Sequence, residues 1–416
     1  MTAVGWIGLG RLGLPLALVL DAAGHAVTGY DIDPLPGKIL AGRAEPPAED
    51  RIGALLDGHD IRMAGGIGEV VDMSDVVFVA VQTPHAPAYG GETPVPARRR
   101  DFEYGYLAQA CRDVCAAAAA RPAPVTLVVV STVLPGTCDR LIRPFLGRSA
   151  QLVYSPAFTA MGTAIPDFSS PELTLCGCDG DDGAEALAGV LGKVHDAPML
   201  RMPVASAELA KVAYNTFISM KIVFANTIME MAHQTGADCD DVTRALAAAT
   251  TRVVSPMYLS GGMGDGGACH PRDLIAMSWL AQRAGLSYDL PGELARAREL
   301  QAGWIADLAA GYAAQAGLPV QIMGRAYRAG MNLTAGSPAL LLADLLAEQQ
   351  AAVAGQWDPH VDGPAGRPDR RAVYVIATRH PEFAAFDYPP GSVVIDPHGY
   401  IPDRHLVTVI RVGRKT

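Results

Sequence analysis

The chain has 416 residues, half of them hydrophobic and 18% charged, with a net charge of −10 and a pI near 5.5. That length exceeds one ordinary core and makes two or three domains the expectation, and the composition fits a buried globular enzyme, not a disordered chain. The acidic balance argues against nucleic acid or an anionic membrane as the main partner, although a local Arg/Lys pocket can still hold a small anion.

Seven cysteines lack the paired spacing of a metal finger. No metal is expected, and free thiols in a reducing cytoplasm are the simplest account. The opening residues have no basic segment and no apolar run nears the roughly 18 residues of a membrane span. A soluble cytoplasmic protein is expected.

Ala3 to Ile7 reads as a short apolar strand. Gly8-Leu-Gly10-Arg11-Leu12-Gly13 follows, then an apolar segment from Leu14 to Ala23 and a second strand, Ala26 to Tyr30, ending in Asp31. This is the strand, glycine turn, helix, strand and acid order of a dinucleotide site. Gly8 permits the turn, Gly10 lets a pyrophosphate near the backbone, and Gly13 lets helix and strand pack, with the helix N-terminus facing the phosphates. Asp31 would accept hydrogen bonds from ribose hydroxyls and repel a 2′-phosphate, which favours NAD over NADP. The competing reading is a plain glycine-rich turn.

Further strands at βαβ spacing are expected at 76–81, 125–130 and 151–154, with an alanine-rich helix at 104–120 whose Cys111 and Cys115 pack rather than ligate. Thr83-Pro84 and the stretch Ser131 to Thr137 punctuate two strand ends. Ligands in open α/β sheets bind outside the carboxyl ends of strands, so Thr132 is a site candidate, or else a capping hydroxyl.

From Ser206 to about Ala249 apolar residues recur at helical steps. Lys211 and Asn215 lie one turn apart and share a face. They form either a polar patch aimed into a cleft or part of a solvated face. In Gly261 to Asp273, five glycines fall within seven residues, and Cys269 then precedes a helix-like segment, Leu274 to Ala284. A thiolate near a helix N-terminus is a better nucleophile. The bland alternative is a glycine turn with an inert Cys. Helical sequence from Tyr288 to Ala314, interrupted at Pro291 and Gly292, reads as a connector. A second α/β unit begins near Pro319, with a helix from Pro338 to Gln350, strands Val373 to Ala377 and Val393 to Asp396, and a surface loop over Gln356 to Arg371.

Together these pieces resemble the UDP-glucose/GDP-mannose dehydrogenase family over nearly the whole chain. The motifs, in order, are GLGRLG with GYDID (Gly8 to Asp33), VAVQTP (Val79 to Pro84), STVLPGT (Ser131 to Thr137), SPAF with AIPDF (Ser155 to Phe168), ELAKVAYN (Glu208 to Asn215) and GDGGACHPRD (Gly264 to Asp273). MGRAYR with SPAL, ATRHPEF and VIDPHG follow in the C-terminal unit. The resemblance implies an α/β fold of two Rossmann-like doubly wound domains joined by a central helical region. It divides the chain into an NAD-binding domain at 1–203, a central region at 204–315 that usually forms a homodimer, and a nucleotide-sugar domain at 316–416.

It also implies the activity, which is oxidation of a primary alcohol of a nucleotide sugar to the acid with two NAD+ in succession. By the same token Gly8, Gly10, Arg11, Leu12, Gly13, Asp31, Thr83, Pro84 and Thr132 would meet the cofactor. Phe158, Lys211, Asn215, Arg252, Tyr258, Gly266 and Arg328 would meet the substrate. Lys211, Asn215 and a water held by Asp273 would stabilise the alkoxide, Cys269 would carry the thiohemiacetal and thioester, and Thr132 would help position water.

The chain departs from the family pattern where hydrolysis is promoted. The family usually has Pro-Glu at Pro156-Ala157 and often a second Glu at Met161, and Ala157 cannot remove a proton. Arg328 and Arg272 stand for lysines, Asn332 to Gly336 replaces an acidic-Arg stretch, and Asp265 stands for an aromatic. A one-residue insertion before Tyr258 blurs the register of Arg252. Three readings follow: four-electron oxidation with another base, two-electron oxidation stopping at an aldehyde, or a weak nucleotide-binding homologue. A plain 3-hydroxy-acid dehydrogenase shares the fingerprint but needs neither the glycine-Cys loop nor the C-terminal unit.

Overall fold

The computed structural model describes residues 2–47, 49–84, 86, 101–160, 162–255, 261–265 and 270–414. The chain divides into two compact units, Met1–Ser219 and Met220–Thr416.

In the first unit the strands are β1 (Ala3–Ile7), β2 (Ala26–Tyr30), β3 (Arg62–Met63), β4 (Val76–Val79), β5 (Val125–Val129), β6 (Ala150–Tyr154), β7 (Thr174–Cys178) and β8 (Met199–Met202). They form one sheet in the order β3-β2-β1-β4-β5-β6-β7-β8. The first six run parallel in the doubly wound order of a dinucleotide-binding sheet. Its strands bury both faces, which is why they read as unbroken apolar runs rather than alternations. Val76, Phe78 and Val128 point into one core and Val77, Val79, Leu127 and Val129 into the other.

Helices α1 (Gly13–Ala22), α2 (Leu35–Leu40), α3 (Ile52–Leu56), α4 (Ile67–Asp72), α5 (Gly105–Ala118), α6 (Thr137–Leu141), α7 (Ala164–Ser169) and α8 (Asp181–Leu191) connect these strands. Helix α1 is apolar all round, and its residues from Gly13 to Leu20 are buried. Cys111 and Cys115 on α5 are packed in the core.

The two strands absent from the sequence reading at this end, β7 and β8, reverse the polarity. Strand β7 pairs antiparallel with β6, Val153 opposite Cys178 and Tyr154 opposite Gly177. Strand β8 pairs parallel with β7, which brings Met202 level with Gly177.

Helix α9 (Val204–Thr235) follows, then α10 (Cys239–Ala247), α11 (His270–Ala284) and α12 (Leu290–Ala316). The expected single helical run to Ala249 is therefore two helices. Gly236 takes φ +75, and Asp238 caps α10 by accepting from the N–H groups of Asp240 and Asp241. Pro291 does not interrupt α12; it stands in its first turn, where its missing N–H costs nothing.

The second unit holds a parallel five-stranded sheet of β9 (Val320–Met323), β10 (Val353–Trp357), β11 (Val373–Ile376), β12 (Val393–Asp396) and β13 (Thr408–Arg411), in the order β10-β9-β11-β12-β13. Helices α12 and α13 (Pro338–Glu348) cover one face, while Trp357, Phe383, Phe386 and Tyr388 pack on the other. The end of β10 falls within the segment expected to be all loop.

Candidate active site

The strand order of the first sheet reverses between β1 and β4, and the loops after these strands touch there. Gly8 has φ +93, and a Cβ on it would lie 2.8 Å from the carbonyl oxygen of Ala80. A Cβ on Gly13 would lie 1.9 Å from the carbonyl oxygen of Gly8, so only glycine fits either position. Around Gly10 the same space is open, and Arg11 is exposed. Leu12 packs against the core, and no side chain caps the N-terminus of α1, where the Leu14 N–H turns back on the Gly10 carbonyl at 3.1 Å and Pro15 has no N–H; the positive end of the helix dipole there favours an anion. At the end of β2 the Asp31 carboxylate accepts from the N–H of Leu9 at 2.6 Å and of Asp33 at 2.8 Å. These bonds fix its direction and leave each oxygen a second lone pair. A cradle that any Cβ would fill, an uncapped helix end and an oriented carboxylate fit the diphosphate and ribose of NAD.

Thr83 and Thr132, which follow neighbouring strands, meet. The Thr83 hydroxyl donates to the carbonyl of Thr132 at 2.9 Å, and the Ser131 hydroxyl donates to the carbonyl of Val81 at 2.5 Å. Pro84, next in this loop, accepts from the N–H of Glu103 at 2.7 Å. The β4 and β5 loops are thereby tied into one wall beside the glycine turn.

The loop after β6 carries Ala157 and Phe158. Lys211 on α9 is only 7% exposed; its ammonium donates to the Ala157 carbonyl at 2.8 Å and lies 4.5 Å from the centre of the Phe158 ring. Tyr214 also packs against that ring, 4.6 Å between centroids and tilted by 57°. Burial pushes the Lys211 pKa down, because the charged form loses water. Asn215, one turn further, is exposed. Ala157 also lines a mainly apolar cavity of about 30 Å³ shared with Trp6, Phe78, Phe168 and His195.

Sequence reasoning missed Glu208. Fully buried on α9, three residues before Lys211, it accepts from the N–H of Gly136 at 2.5 Å and of Cys138 at 2.8 Å. It thus caps α6 and seats the loop that contains Thr132. The available signal was an acid on an otherwise apolar helical stretch.

The second sheet has its own reversal between β9 and β11. Thr378 donates from its hydroxyl to the Ala326 carbonyl at 2.7 Å, and buried Asp358 accepts from the N–H groups of Arg325 at 2.7 Å and Ala326 at 2.9 Å. Arg328 is exposed in this loop. Despite burial, which opposes ionisation, the His380 ring and these amides hold the Asp358 pKa well below the ordinary carboxylate range. His360, His380 and Glu382 bring one ligand-type atom each within 4.8 Å. The two imidazoles are stacked, 4.6 Å apart and 28° from parallel, so their lone pairs do not converge. His380 has both nitrogens engaged, accepting from Gly330 N–H and donating to Asp358. These bonds join the three side chains into one hydrogen-bond network with Asp358.

Arg252 lies exposed in the turn after α10. Tyr258, Gly266 and Cys269 lie outside the described residues, as do Met161 and the side chains of Arg272 and Asp273. Helix α11 starts at His270, four residues earlier than expected, with Pro271 in its first turn.

Two models of one family match the chain: the NAD binding domain of the UDP-glucose/GDP-mannose dehydrogenase family over residues 2–194, and its central domain over residues 205–297. GDP-mannose 6-dehydrogenase of Pseudomonas aeruginosa is 28% identical over 353 residues, covering 82% of this chain and 77% of that protein. UDP-glucose 6-dehydrogenase of Rhizobium meliloti is 29% identical over 375 residues, covering 85% and 80%. The crystal structure of a ternary complex of GDP-mannose dehydrogenase from Pseudomonas aeruginosa shares the fold, with a TM-score of 0.84 and 24% identity over 98% of this chain and 99% of that one. With the glycine cradle at the first reversal point and these matches, the chain belongs to the UDP-glucose/GDP-mannose dehydrogenase family, NAD-dependent oxidoreductases of nucleotide sugars.

Proposed function

We propose that the chain oxidises the primary alcohol of a nucleotide-linked hexose to the carboxylic acid, with Cys269 as the nucleophile and Lys211 as the group that stabilises the alkoxide. The observation that carries this reading is the buried Lys211 ammonium, set at the carboxyl edge of a sheet whose glycine cradle fits NAD. Bound there, NAD+ accepts one hydride per oxidation, so the balance is one alcohol, two NAD+ and one water giving one acid, two NADH and two protons.

Lys211 would steady the negative charge that develops as the alcohol loses its proton, and Asn215, Asp273 and Thr132 would orient the alcohol and a water. Because α11 begins at the residue after Cys269, its dipole would favour the thiolate. That thiolate would add to the aldehyde, and after the second oxidation water would release the acid from the thioester. Arg252, Tyr258, Gly266, Phe158 and Arg328 would hold the nucleotide sugar. The three-part division at 203 and 315 and a cytoplasmic location belong to the same reading. So does a homodimer, supported by the exposed Phe217, Met220 and Phe224 on one face of α9.

One observation favours a second outcome. Position 157 offers a carbonyl already engaged by Lys211 and a methyl, and neither can take a proton from water. Loss of a positioned base costs roughly 10²–10⁴ in rate, so oxidation could end at the aldehyde or stall on the thiol.

Counting NADH released per sugar consumed tests both readings, starting with GDP-mannose and UDP-glucose, the substrates in the names of the matched relatives. Two NADH and an acid, abolished in Cys269→Ala, are expected. One NADH with a free aldehyde would replace the acid-forming reading by the two-electron one. NAD binding without NADH from any nucleotide sugar would overturn both.

A further inference from the structure

We infer that Arg298 and His398 are positioning residues for the reactive loop: within the second unit they hold the glycine segment Gly261–Asp265, which leads in sequence to Cys269, against α12 and the five-stranded sheet. The inference rests on the reading of Cys269 as the nucleophile.

Three successive anchors grip this short segment. Met263 is 6% exposed and packs in the core formed by Ile305, Ala306 and Ala309 of α12 with the strands of the second sheet. At Gly262 the backbone lies directly under an imidazole, since a Cβ there would be 3.0 Å from His398 Nδ1 and 3.2 Å from its Cε1. Asp265 accepts a hydrogen bond from Arg298 Nε at 2.6 Å, and the same guanidinium donates to the carbonyl of Gly336 at 3.3 Å. Their side chains are 31% and 16% exposed, so water screens this pair less than a surface one.

Each anchor is itself fixed. The Asp396 carboxylate at the end of β12 accepts from the N–H groups of His398, Gly399, Tyr400 and Ile401, at 2.7 to 2.9 Å, so the His398 loop has little freedom. Burial lowers the His398 pKa and keeps the ring neutral beside the glycine backbone. Arg298 stands on α12, and Gly336 precedes Ser337, the N-cap of α13.

The arrangement answers a physical problem. A chain so rich in glycine loses roughly 1–2 kcal/mol of backbone entropy for each residue that is ordered. A thiol at the end of a loose segment would miss the geometry a nucleophile needs, which tolerates about 0.5 Å. Anchoring at 262, 263 and 265 restricts the chain before substrate arrives, so less ordering is left for the bound state.

The test uses the full-length protein with Arg298→Ala, Asp265→Asn and the exchanged pair Asp265→Arg/Arg298→Asp. Hydrogen exchange in peptides spanning 261–275 should quicken about tenfold or more in the single variants, the size of a lost charged hydrogen bond, and should slow again in the exchanged pair. Exchange around α1 and the affinity for NAD should stay at wild-type values. Alkylation of Cys269 by iodoacetamide should change in rate, and kcat should fall by about tenfold or more while KM for NAD holds. His398→Ala should add to the exchange effect.

Wild-type exchange in 261–275 for both single variants, or a kcat within about twofold of wild type in folded protein, would overturn the inference. If the wild-type chain oxidises no nucleotide sugar, the functional reading fails while the exchange data still decide the anchoring. Should Arg298→Ala not fold, Arg298→Lys keeps the charge, loses the fork and should give an intermediate exchange rate.

Discussion

Lys211 is held at a cost. Among the described residues its ammonium meets the Ala157 carbonyl and the Phe158 ring, and it has little water. Burial therefore depresses its pKa below the ordinary 10.5. The sign of the resulting pH effect follows directly. Between the depressed value and 10.5 the folded chain has released a proton that the unfolded chain still holds, so stability rises with pH across that window. Below it both states are protonated, and the folded chain bears the full burial penalty. Compared with Lys211→Met, which does not titrate, the wild type should gain up to about 1.4 kcal/mol per pH unit within the window. Melting temperatures of both proteins measured from pH 7 to pH 10.5 check this, and a gap that stays constant with pH would show that Lys211 keeps an ordinary pKa.

Among the elements, α6 depends on a side chain from another part of the chain. A helix of five residues cannot stabilise itself. Its amino end is satisfied by Glu208, 72 residues away from Gly136. Glu208→Ala would leave two N–H groups without their partner and should cost about 2–4 kcal/mol, read as a lower melting temperature, with Glu208→Gln intermediate. An unchanged melting temperature in both would mean that water replaces the carboxylate.

The same example shows what could be read beforehand. The glycine turn and Asp31 carry local signals of spacing and strand context, whereas the spacing of Lys211 and Asn215 does not tell that the first is buried and the second exposed. Glu208 acts through a long-range bond that has no local pattern. Strands β7 and β8 were equally hidden: Thr174–Cys178 and Met199–Met202 are short, carry glycine, cysteine or arginine, and show neither alternation nor a long apolar run. The break at Gly236 was visible as a residue but not as a boundary, because apolar periodicity resumes in α10.

At the scale of the molecule, Phe217, Met220 and Phe224 recur at three- and four-residue steps on α9 and remain 43, 47 and 41% exposed. An acidic chain gains nothing by showing such a stripe to water. Self-association through this helix should give a particle of twice 43.6 kDa by light scattering, and Phe224→Arg should shift it to the monomer. A wild-type monomer at micromolar concentration would sink the proposed dimer.

The pairing of β6 with β7 also acts as a ruler. With Tyr154 opposite Gly177, and Met202 level with both, the chain leaves the sheet at its ligand-bearing edge, and the first turns of α9 deliver Lys211 to Ala157. Gly177 is the seat of that helix, since a Cβ there would meet Ala207 at 2.8 Å and Val204 at 3.1 Å. A slip of two residues would keep every side chain on its own face yet translate the helix by nearly 7 Å, past any reach of the lysine. Between Phe158 and Thr174 descendants of this chain can therefore change length only where the core packing of Ala164 and Ile165 on α7 is kept and this one register is inherited unchanged.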